Sequence, residues 1–415
     1  MFGVVDCYNH EVEFSKQSVG VSELLKNKAH RKHWSSQANV LTINAGTLAG
    51  VHPNFSSACC VNKSPFTNEV CFSEFPGFGE SLARAGLSGL RFERKSEKPV
   101  ILFLDGEKIS FLELGNGFVK SLHDKGHNAL KYFISKNFGG SVLTTSSGSN
   151  TVFGNVKEKS FTNSGGVGSV LRQAHGVVGV VLSQKNGLNY LDESLVSGLS
   201  DGFVFQENFL SDSSLLFNKK YDALPNRLFW NFKNKDLGLK LGIFDEFLVD
   251  KLFDEISVKG FDVELVSNLI SGFLHAVHAG HVFREDFVSD FDVCFDFREF
   301  NSNPVFYSNE HYNFSRGVLS LLFDNLNLSR SQLFSYLKNN YGKESVNFFK
   351  LGSSVDLAKA ISGFNGGAWN IDFTGKICAL NSGKSINFGK EAVELSKIVN
   401  KFNGLNKVFG KVLEH

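Results

Sequence analysis

Short apolar runs separated by turn-forming residues dominate the first part of the chain. Residues 41–43 have the composition of a strand, and the apolar runs on either side of a turn within residues 2–14 predict a hairpin. A second hairpin is predicted over residues 100–114, because Asp105-Gly106 at its centre favours a type I′ turn. The pattern therefore indicates a β-rich N-terminal region.

Helical spacing of apolar residues is confined to short segments at first and then dominates the chain after residue 237. Before residue 237, helices are predicted over residues 21–29, 80–85 and 117–133. Near the C-terminus, helices are predicted over residues 318–341 and 391–413. Two apolar stripes predict further helices: Phe244, Phe247, Leu248, Leu252, Phe253 and Ile256 form the first, and Leu265, Leu269, Ile270, Phe273 and Val277 form the second. The C-terminal part is therefore predicted to be mainly helical.

These patterns predict an α+β protein with a β-rich domain at residues 1–185 and a mainly helical region at residues 237–415. The stretch between them, residues 186–236, is polar and rich in Gly and Ser at its start, and its apolar residues have no firm period. Such a composition is typical of a connection between domains.

Composition and charge exclude several classes of function. The chain has 415 residues and a net charge of +1, so no overall field attracts nucleic acid or an anionic membrane. No apolar run is long enough for a transmembrane helix, and the first residues lack the pattern of a signal peptide. We therefore expect a cytoplasmic protein without nucleic-acid or membrane partners. The six cysteines are too scattered for a disulfide framework.

Five short motifs occur in an order that resembles one known family. They are Ala45-Gly46-x-x-x-Gly50, Lys63-Ser64-Pro65, Phe78-Gly79-x-x-Leu82-x-x-Ala85-Gly86, Glu97-Lys98-Pro99-Val100 and Gly165-Gly166-Val167-Gly168-Ser169-Val170. Their order and spacing resemble the N-terminal domain of the tungsten-containing aldehyde ferredoxin oxidoreductases, and the chain is similar to a divergent, truncated member. The resemblance implies a domain that cradles a tungsten or molybdenum bis-pterin, followed by helical domains.

The cysteines do not match the iron–sulfur ligands of that family. Its [4Fe–4S] cluster takes three thiolates from a C-x2-C-x3-C run and one from a distant motif. This chain has no such run, and only Cys294 and Cys378 follow residue 71. No [4Fe–4S] cluster is therefore expected.

The residues that bind pterin phosphates in the family are also changed. Alignment of the motifs places Ser57, Ser160 and Ser164 where the resemblance implies arginines, whose fork matches phosphate geometry. The family's Asn-Ser-Gly-Gly turn corresponds to residues 73–77, which include Glu74. A carboxylate there would repel an anionic cofactor, so the expectation is that no cofactor is bound.

Some residues could still belong to a vestigial pterin site. Gly148 and Asn150 fit the outline of a family cofactor loop, and Gly165-Gly166 opens a helix whose N-terminus suits a phosphate. The alternative is that these glycines only permit a tight turn into the helix. Asp372 is the fifth candidate, in a stretch ending at Cys378 that echoes a D-x-x-G-L-C motif with one inserted residue. The favoured alignment, which preserves the spacing to the C-terminal helix, instead places the motif's Asp and Cys at Ser362 and Gly367, so both are lost.

A histidine pair offers a separate candidate metal site. His275 and His278 are three residues apart, so they share one helix face and could bind zinc or copper. A third ligand would have to come from Glu264 or His311. The alternative is that histidines near a helix C-terminus complement its dipole.

Three functional hypotheses follow. The leading one is a degenerate, cofactor-free relative that acts as a structural or interaction partner, beside a paralogous oxidoreductase subunit or in a homo-oligomer. The second is an oxidoreductase that keeps an altered tungsten or molybdenum bis-pterin site, and the third is a histidine-based metal-binding module. No catalytic residue is assigned, because residues 230–233, where the family's glutamate would fall, contain no carboxylate.

Overall fold

The computed structural model divides the chain into two compact units. The first comprises residues 1–208 and 353–415, and the second comprises residues 209–352. The structure describes residues 1–15, 20–51, 55–105, 108–158, 165–184, 186–188, 190, 234–283, 308–324, 330–343 and 388–413. The predicted connection at residues 186–236 lies almost wholly outside these ranges, so its boundaries stay a prediction.

A six-stranded mixed sheet is the larger of two sheets in the first unit. Its strands are β1 (Phe2–Asp6), β2 (Glu11–Ser15), β3 (Leu41–Ala45), β4 (Ala58–Lys63), β5 (Val70–Phe75) and β6 (Gly89–Glu93), in the spatial order β2-β1-β6-β3-β4-β5. Strands β1 and β6 are parallel and all other neighbours are antiparallel. The predicted N-terminal hairpin is confirmed as β1–β2, whose turn is held by two backbone N–H groups that donate to the Asp6 carboxylate.

A four-stranded sheet forms the second layer of this unit. Its strands are β7 (Val100–Asp105), β8 (Lys108–Glu113), β9 (Ser141–Thr144) and β10 (Val177–Leu182), in the order β8-β7-β10-β9. The antiparallel β7–β8 pair confirms the predicted second hairpin. Helices α3 (Asn116–Asp124) and α4 (His127–Asn137) pack on one face of the sheet and bury an apolar cluster that includes Val119, Leu130 and Ile134.

Two short helices each join consecutive strands of one sheet. Helix α2 (Phe78–Arg84) follows β5, and α5 (Val167–His175) precedes β10. Gly176 ends α5 in the left-handed conformation, which favours glycine. The unit also contains α1 (Gly20–Lys26) and two 3₁₀ helices, Ala29–Arg31 and Ser147–Asn150. Together these elements confirm the β-rich N-terminal region predicted from the sequence.

The last helix of the chain, α11 (Phe388–Leu413), packs on the first unit. Phe402 is fully buried among Val21, Leu24, Val61 and Phe72, and the His30 ring meets it edge-on. Asn403 Oδ1 accepts the N–H of Val70, so α11 satisfies a backbone donor at the open edge of the larger sheet. The helix therefore packs against the beginning of the edge strand β5.

All the named elements that the structure describes in the second unit are helices. It contains α6 (Lys235–Leu241), α7 (Glu246–Val258), α8 (Val263–His278), α9 (Ser308–Asp324) and α10 (Arg330–Tyr341). Asp245 and Asp262 cap α7 and α8 by accepting backbone N–H groups of the first turn. The first predicted apolar stripe lies mainly on α7, and the expectation that its residues are buried is wrong for Phe247, whose side chain is 73% exposed. No described helix is long and apolar enough to cross a membrane.

Candidate functional site

The turn before α5 is packed against the larger sheet. Gly165 and Gly166 both have positive φ angles, 99° and 65°, which side chains rarely adopt. A Cβ on Gly165 would collide with Ser73 Oγ and come within 2.8 Å of Cys71 Sγ, and one on Gly166 would collide with Pro65. The structure thus brings together the two motifs that contain Pro65 and Gly165-Gly166.

Two backbone donors in the first turn of α5 are bound within the protein. The N–H groups of Gly168 and Ser169 donate to the Gly154 carbonyl at 3.1 and 3.3 Å. In return, Ser169 Oγ accepts the Gly154 N–H at 2.8 Å. A phosphate bound at this helix N-terminus would need the same donors. The geometry therefore supports the reading in which the glycines permit a tight turn.

The second candidate loop lies beside this turn. Gly148 and Asn150 belong to the 3₁₀ helix Ser147–Asn150, which is preceded by a capping box between Ser146 and Ser149. A Cβ on Gly168 would lie 2.8 Å from Ser149 Oγ, so the two glycine-containing loops are neighbours. Gln173 holds α5 against this loop, because its amide nitrogen donates to the carbonyls of Ser149 and Thr151.

A carboxylate occupies the neighbourhood where the family resemblance implies an arginine. Ser57 is buried, and its hydroxyl donates to Glu74 Oε1 at 3.0 Å across the β4–β5 pair. Helix α2 starts against the same place, since a Cβ on Gly79 would collide with the Ser57 carbonyl. The buried serine and its acidic partner offer a negative charge to this surface. A carboxylate repels an anionic group, whereas the arginine that the family resemblance implies would attract one.

The lysine of the Lys-Ser-Pro motif has a structural role. The Lys63 side chain is buried, and its ammonium donates to the carbonyls of Ala29 and Lys32 at 3.3 and 2.9 Å. Burial lowers the pKa of Lys63 to about 8. Its charge therefore stabilises the 3₁₀ helix after α1 and is not directed at the glycine turns.

The N-terminal cysteines are arranged as core thiols. Cys59 and Cys60 are buried neighbours on β4, and Cys71 on β5 is half-buried. Burial raises the pKa of Cys59 to about 12 and raises that of Cys60 strongly. A protonated thiol is a poor metal ligand. Among the described residues, no group of three His, Cys, Asp or Glu side chains could hold a metal ion.

The histidine pair is only partly described. His275 lies on α8, and burial lowers its pKa to about 4, whereas the side chain of His278 lies outside the described residues. His311, a suggested third ligand, is buried with Nδ1 2.7 Å from the Leu241 carbonyl oxygen. The histidine metal site stays a prediction. Asp372 and Cys378 also lie outside the described residues.

Sequence reasoning missed Gly154, which closes the N-terminus of α5. One signal was present, because a glycine in this segment indicates a close backbone approach. A Cβ on Gly154 would come within 2.6 Å of the Gly148 carbonyl oxygen and the Ser149 nitrogen. The signal did not show that the Gly154 carbonyl accepts the N–H groups of Gly168 and Ser169, because nothing in the local sequence identifies those donors.

Replacing Gly168 by Ala tests the closure of this turn. The added Cβ would collide with the Asn155 carbonyl, so we expect a loss of about 2–3 kcal/mol in the free energy of unfolding. Gly117→Ala is the matched control, since Gly117 is also the second residue of its helix and has open space around its Cβ position. Urea unfolding should show the control unchanged or stabilised, and equal effects of the two substitutions would contradict the packing.

Comparison with known proteins gives a family match for the N-terminal part. Residues 13–184 match the family model "Aldehyde ferredoxin oxidoreductase, N-terminal domain". No curated protein sequence matches the chain. A similar solved structure is the "Active site complex BamBC of Benzoyl Coenzyme A reductase in complex with 1,5 Dienoyl-CoA", with a TM-score of 0.55 and 14% identity. The match covers 84% of this chain and 64% of that one, so it supports the fold.

Proposed function

We propose that this chain, whose residues 13–184 match the N-terminal domain of the aldehyde ferredoxin oxidoreductases, is a degenerate relative that acts as a structural or interaction partner without a bound pterin. The family domain provides a rigid two-sheet scaffold. The partner is an oxidoreductase subunit related to this chain, or a further copy of the chain itself. Such a protein needs surfaces for contact, whereas it does not need the groups that hold a cofactor.

One observation carries this proposal. The N–H groups of Gly168 and Ser169, in the helix turn best suited to a phosphate, donate to the Gly154 carbonyl. Two features of the same surface support it. Ser57 is bonded to the Glu74 carboxylate, and the Lys63 ammonium is buried against backbone carbonyls. The residues present thus do not fit an anionic bis-pterin.

Metal and pterin analysis tests the proposal. The full chain is purified from its native host, and tungsten, molybdenum and iron are measured together with the fluorescent oxidised pterin. We expect less than about one tenth of an equivalent of each per chain, because the anion-binding donors of the scaffold are engaged. An active family oxidoreductase purified from the same cells is the positive control. One equivalent of tungsten or molybdenum with two pterins would refute the proposal.

The oxidoreductase alternative is favoured by a single observation. The loops that contain Gly148 and Gly165 are neighbours, as a cofactor held between two glycine turns would require. This alternative predicts aldehyde-dependent reduction of a viologen dye by the metal-loaded chain. It also predicts that Gly148→Val abolishes both pterin retention and the dye reduction. Absence of metal in the first experiment would exclude it.

A further inference from the structure

Arg172, on α5, is a half-buried cation that has no counter-ion among the described residues. Burial lowers the pKa of its guanidinium from the usual value, although the group stays charged. Its side-chain hydrogen bond runs from Nη2 to Asn116 Oδ1 at 3.3 Å, whereas its buried Nε bonds no residue that the structure describes. A charge removed from water in this way is costly unless an anion neutralises it.

A second buried nitrogen lies close to this guanidinium. The side chain of His123, on α3, is only 3% exposed, and its Nε2 has no hydrogen-bond partner within the described ranges. Burial and then the charge of Arg172 lower the pKa of His123 to about 4, so the ring and the guanidinium are neighbours. Asp124 opposes this shift, but its side chain is exposed. The region between α3 and α5 thus holds two buried nitrogen atoms whose bonding capacity the described side chains leave unused.

The N-terminus of α3 supplies further donors at the outer end of Arg172. Asn116, which accepts the guanidinium N–H, is the first residue of this nine-residue helix, and no side chain caps the helix. The N–H of Val119 is the first to bond within the helix, so those of Gly117 and Phe118 have no acceptor there. A Cβ on Gly117 would meet nothing within 4 Å, so the approach to these N–H groups is open.

This helix end differs from the N-terminus of α5. At α5 the Gly154 carbonyl accepts two first-turn N–H groups, whereas at α3 a guanidinium, itself a donor, lies beside first-turn N–H groups that lack an intrahelical acceptor. The carboxylate nearest in sequence, that of Glu113, is already bonded to Lys98 at 2.7 Å. Two sets of donors and a positive charge therefore meet at the start of α3.

We propose that Arg172 and the first-turn N–H groups of α3 bind a phosphate group, either as the free ion or on a small phosphate ester. The planar guanidinium matches two phosphate oxygens, and the helix N-terminus adds N–H donors and the positive end of its dipole. A carboxylate has only two oxygens, which the guanidinium alone would engage, whereas a tetrahedral oxyanion has further oxygens for α3. The site needs no pterin, so the inference goes beyond the proposed function and does not depend on it.

Inorganic phosphate and methyl phosphate are the probes for this site. The melting temperature of the full chain is measured with each probe at pH 7, against sodium chloride at equal ionic strength. We expect a rise, because a ligand that binds only the folded chain stabilises that state. A rise with both probes assigns the phosphate group of an ester, and a rise with inorganic phosphate alone assigns the free ion. Equal stabilisation by acetate would contradict the tetrahedral ligand.

Arg172→Gln separates the site from general salt effects. Phosphate stabilises many proteins through its exclusion from their surface, and this effect acts equally on the variant. We expect the phosphate dissociation constant, measured by calorimetry, to rise about tenfold in Arg172→Gln, because charged hydrogen bonds to the anion are lost. Without phosphate, the variant should keep or exceed the wild-type melting temperature, since it removes an unpaired, half-buried charge. A large decrease would show instead that Arg172 is structural.

Arg84→Gln is the matched control for the loss of one positive charge. Arg84 also lies in the last turn of a short helix of the same unit, but Glu80 Oε1 neutralises it at 2.8 Å. The control variant should therefore bind phosphate as the wild type does. Equal weakening of phosphate binding in Arg84→Gln and Arg172→Gln would attribute the effect to net charge and overturn the proposal.

Amide NMR at pH 7 locates the bound phosphate. The N–H signals of Gly117 and Phe118 should shift, whereas the N–H groups in the first turn of α5 that bond the Gly154 carbonyl should be unaffected. Shifts confined to the first turn of α5, or no phosphate binding by the wild type, would refute the α3 site. The metal and pterin assay measures different ligands, so failure of this site leaves the cofactor-free proposal standing.

Discussion

Lowering the pH from 7 to 5 is expected to reduce the free energy of unfolding of the first unit by about 6 kcal/mol, because His123, His127 and His175 become protonated when the chain unfolds. All three are buried. Burial lowers the pKa of His123 and His175 to about 4 and that of His127 to about 3. Each is therefore neutral in the folded protein but becomes charged in the unfolded chain near pH 6.5.

The direction of the effect follows from where the protons bind. A histidine with a folded pKa below its unfolded pKa contributes full stability above about pH 6.5, and this contribution is lost as the pH falls towards the folded value. Between pH 7 and pH 5 each such histidine loses about 2 kcal/mol. The surroundings of His127 show why the charge is disfavoured, since Lys131 and Lys157 are nearby and Thr144 Oγ1 is its polar contact at 3.2 Å.

Urea unfolding at pH 7 and pH 5 measures this loss. His127→Gln removes one titrating group, so the variant should lose about 2 kcal/mol less than the wild type over the same interval. Lys136→Gln, on the same helix, is the control because lysine does not titrate in this range. Identical pH dependence of the wild type and His127→Gln would show that His127 is not held neutral by burial.

Phe402→Ala is expected to destabilise the first unit by about 4 kcal/mol and to release α11. The ring is fully buried against α1, β4 and β5, and it meets His30 at 5.8 Å between ring centroids. Its loss would leave a cavity between the helix and the sheet. The hydrogen bond from the Val70 N–H to Asn403 Oδ1 would weaken as well, because Asn403 is held in place by the packing of the neighbouring Phe402.

Thermal unfolding and limited proteolysis test this prediction together. The variant should melt at a lower temperature, and chymotrypsin should cleave within α11 before the rest of the first unit. Val393→Ala is the matched control, since it shortens an apolar side chain on the same helix that is 57% exposed. If both substitutions have equally small effects, α11 does not contribute to the stability of the first unit.

Local patterns predicted the hairpins and helices because their signals lie within a few residues. The Asp105-Gly106 turn and the break at Gly126 both mark boundaries that the structure has, at β7–β8 and between α3 and α4. Phe247 shows the limit of such patterns, since its helical spacing predicted burial and it is 73% exposed. Periodicity identifies a helix face, but only the neighbours of that helix decide whether the face is covered.

The candidate site could be located from the sequence but not interpreted. The glycines at 165 and 166 indicated a helix-opening turn, and the structure has α5 beginning at Val167. Whether the turn is available to a phosphate depends on Gly154 and Asn155, which pack against Gly168. The sequence spacing between them contains no signal for that contact.

The sequence by itself determined the family of the N-terminal domain, its strand and helix types and the absence of the family's thiolate run, because motif order and residue identity are properties of the chain. Only the tertiary structure decided how polar groups are satisfied. Asn62, for example, donates to the Gly165 carbonyl 103 residues away, and Lys63 is buried against carbonyls of another segment. Hydrogen-bond partners of buried groups come from folding, and in the first turn of α5 they engage two N–H groups that an anion would otherwise use.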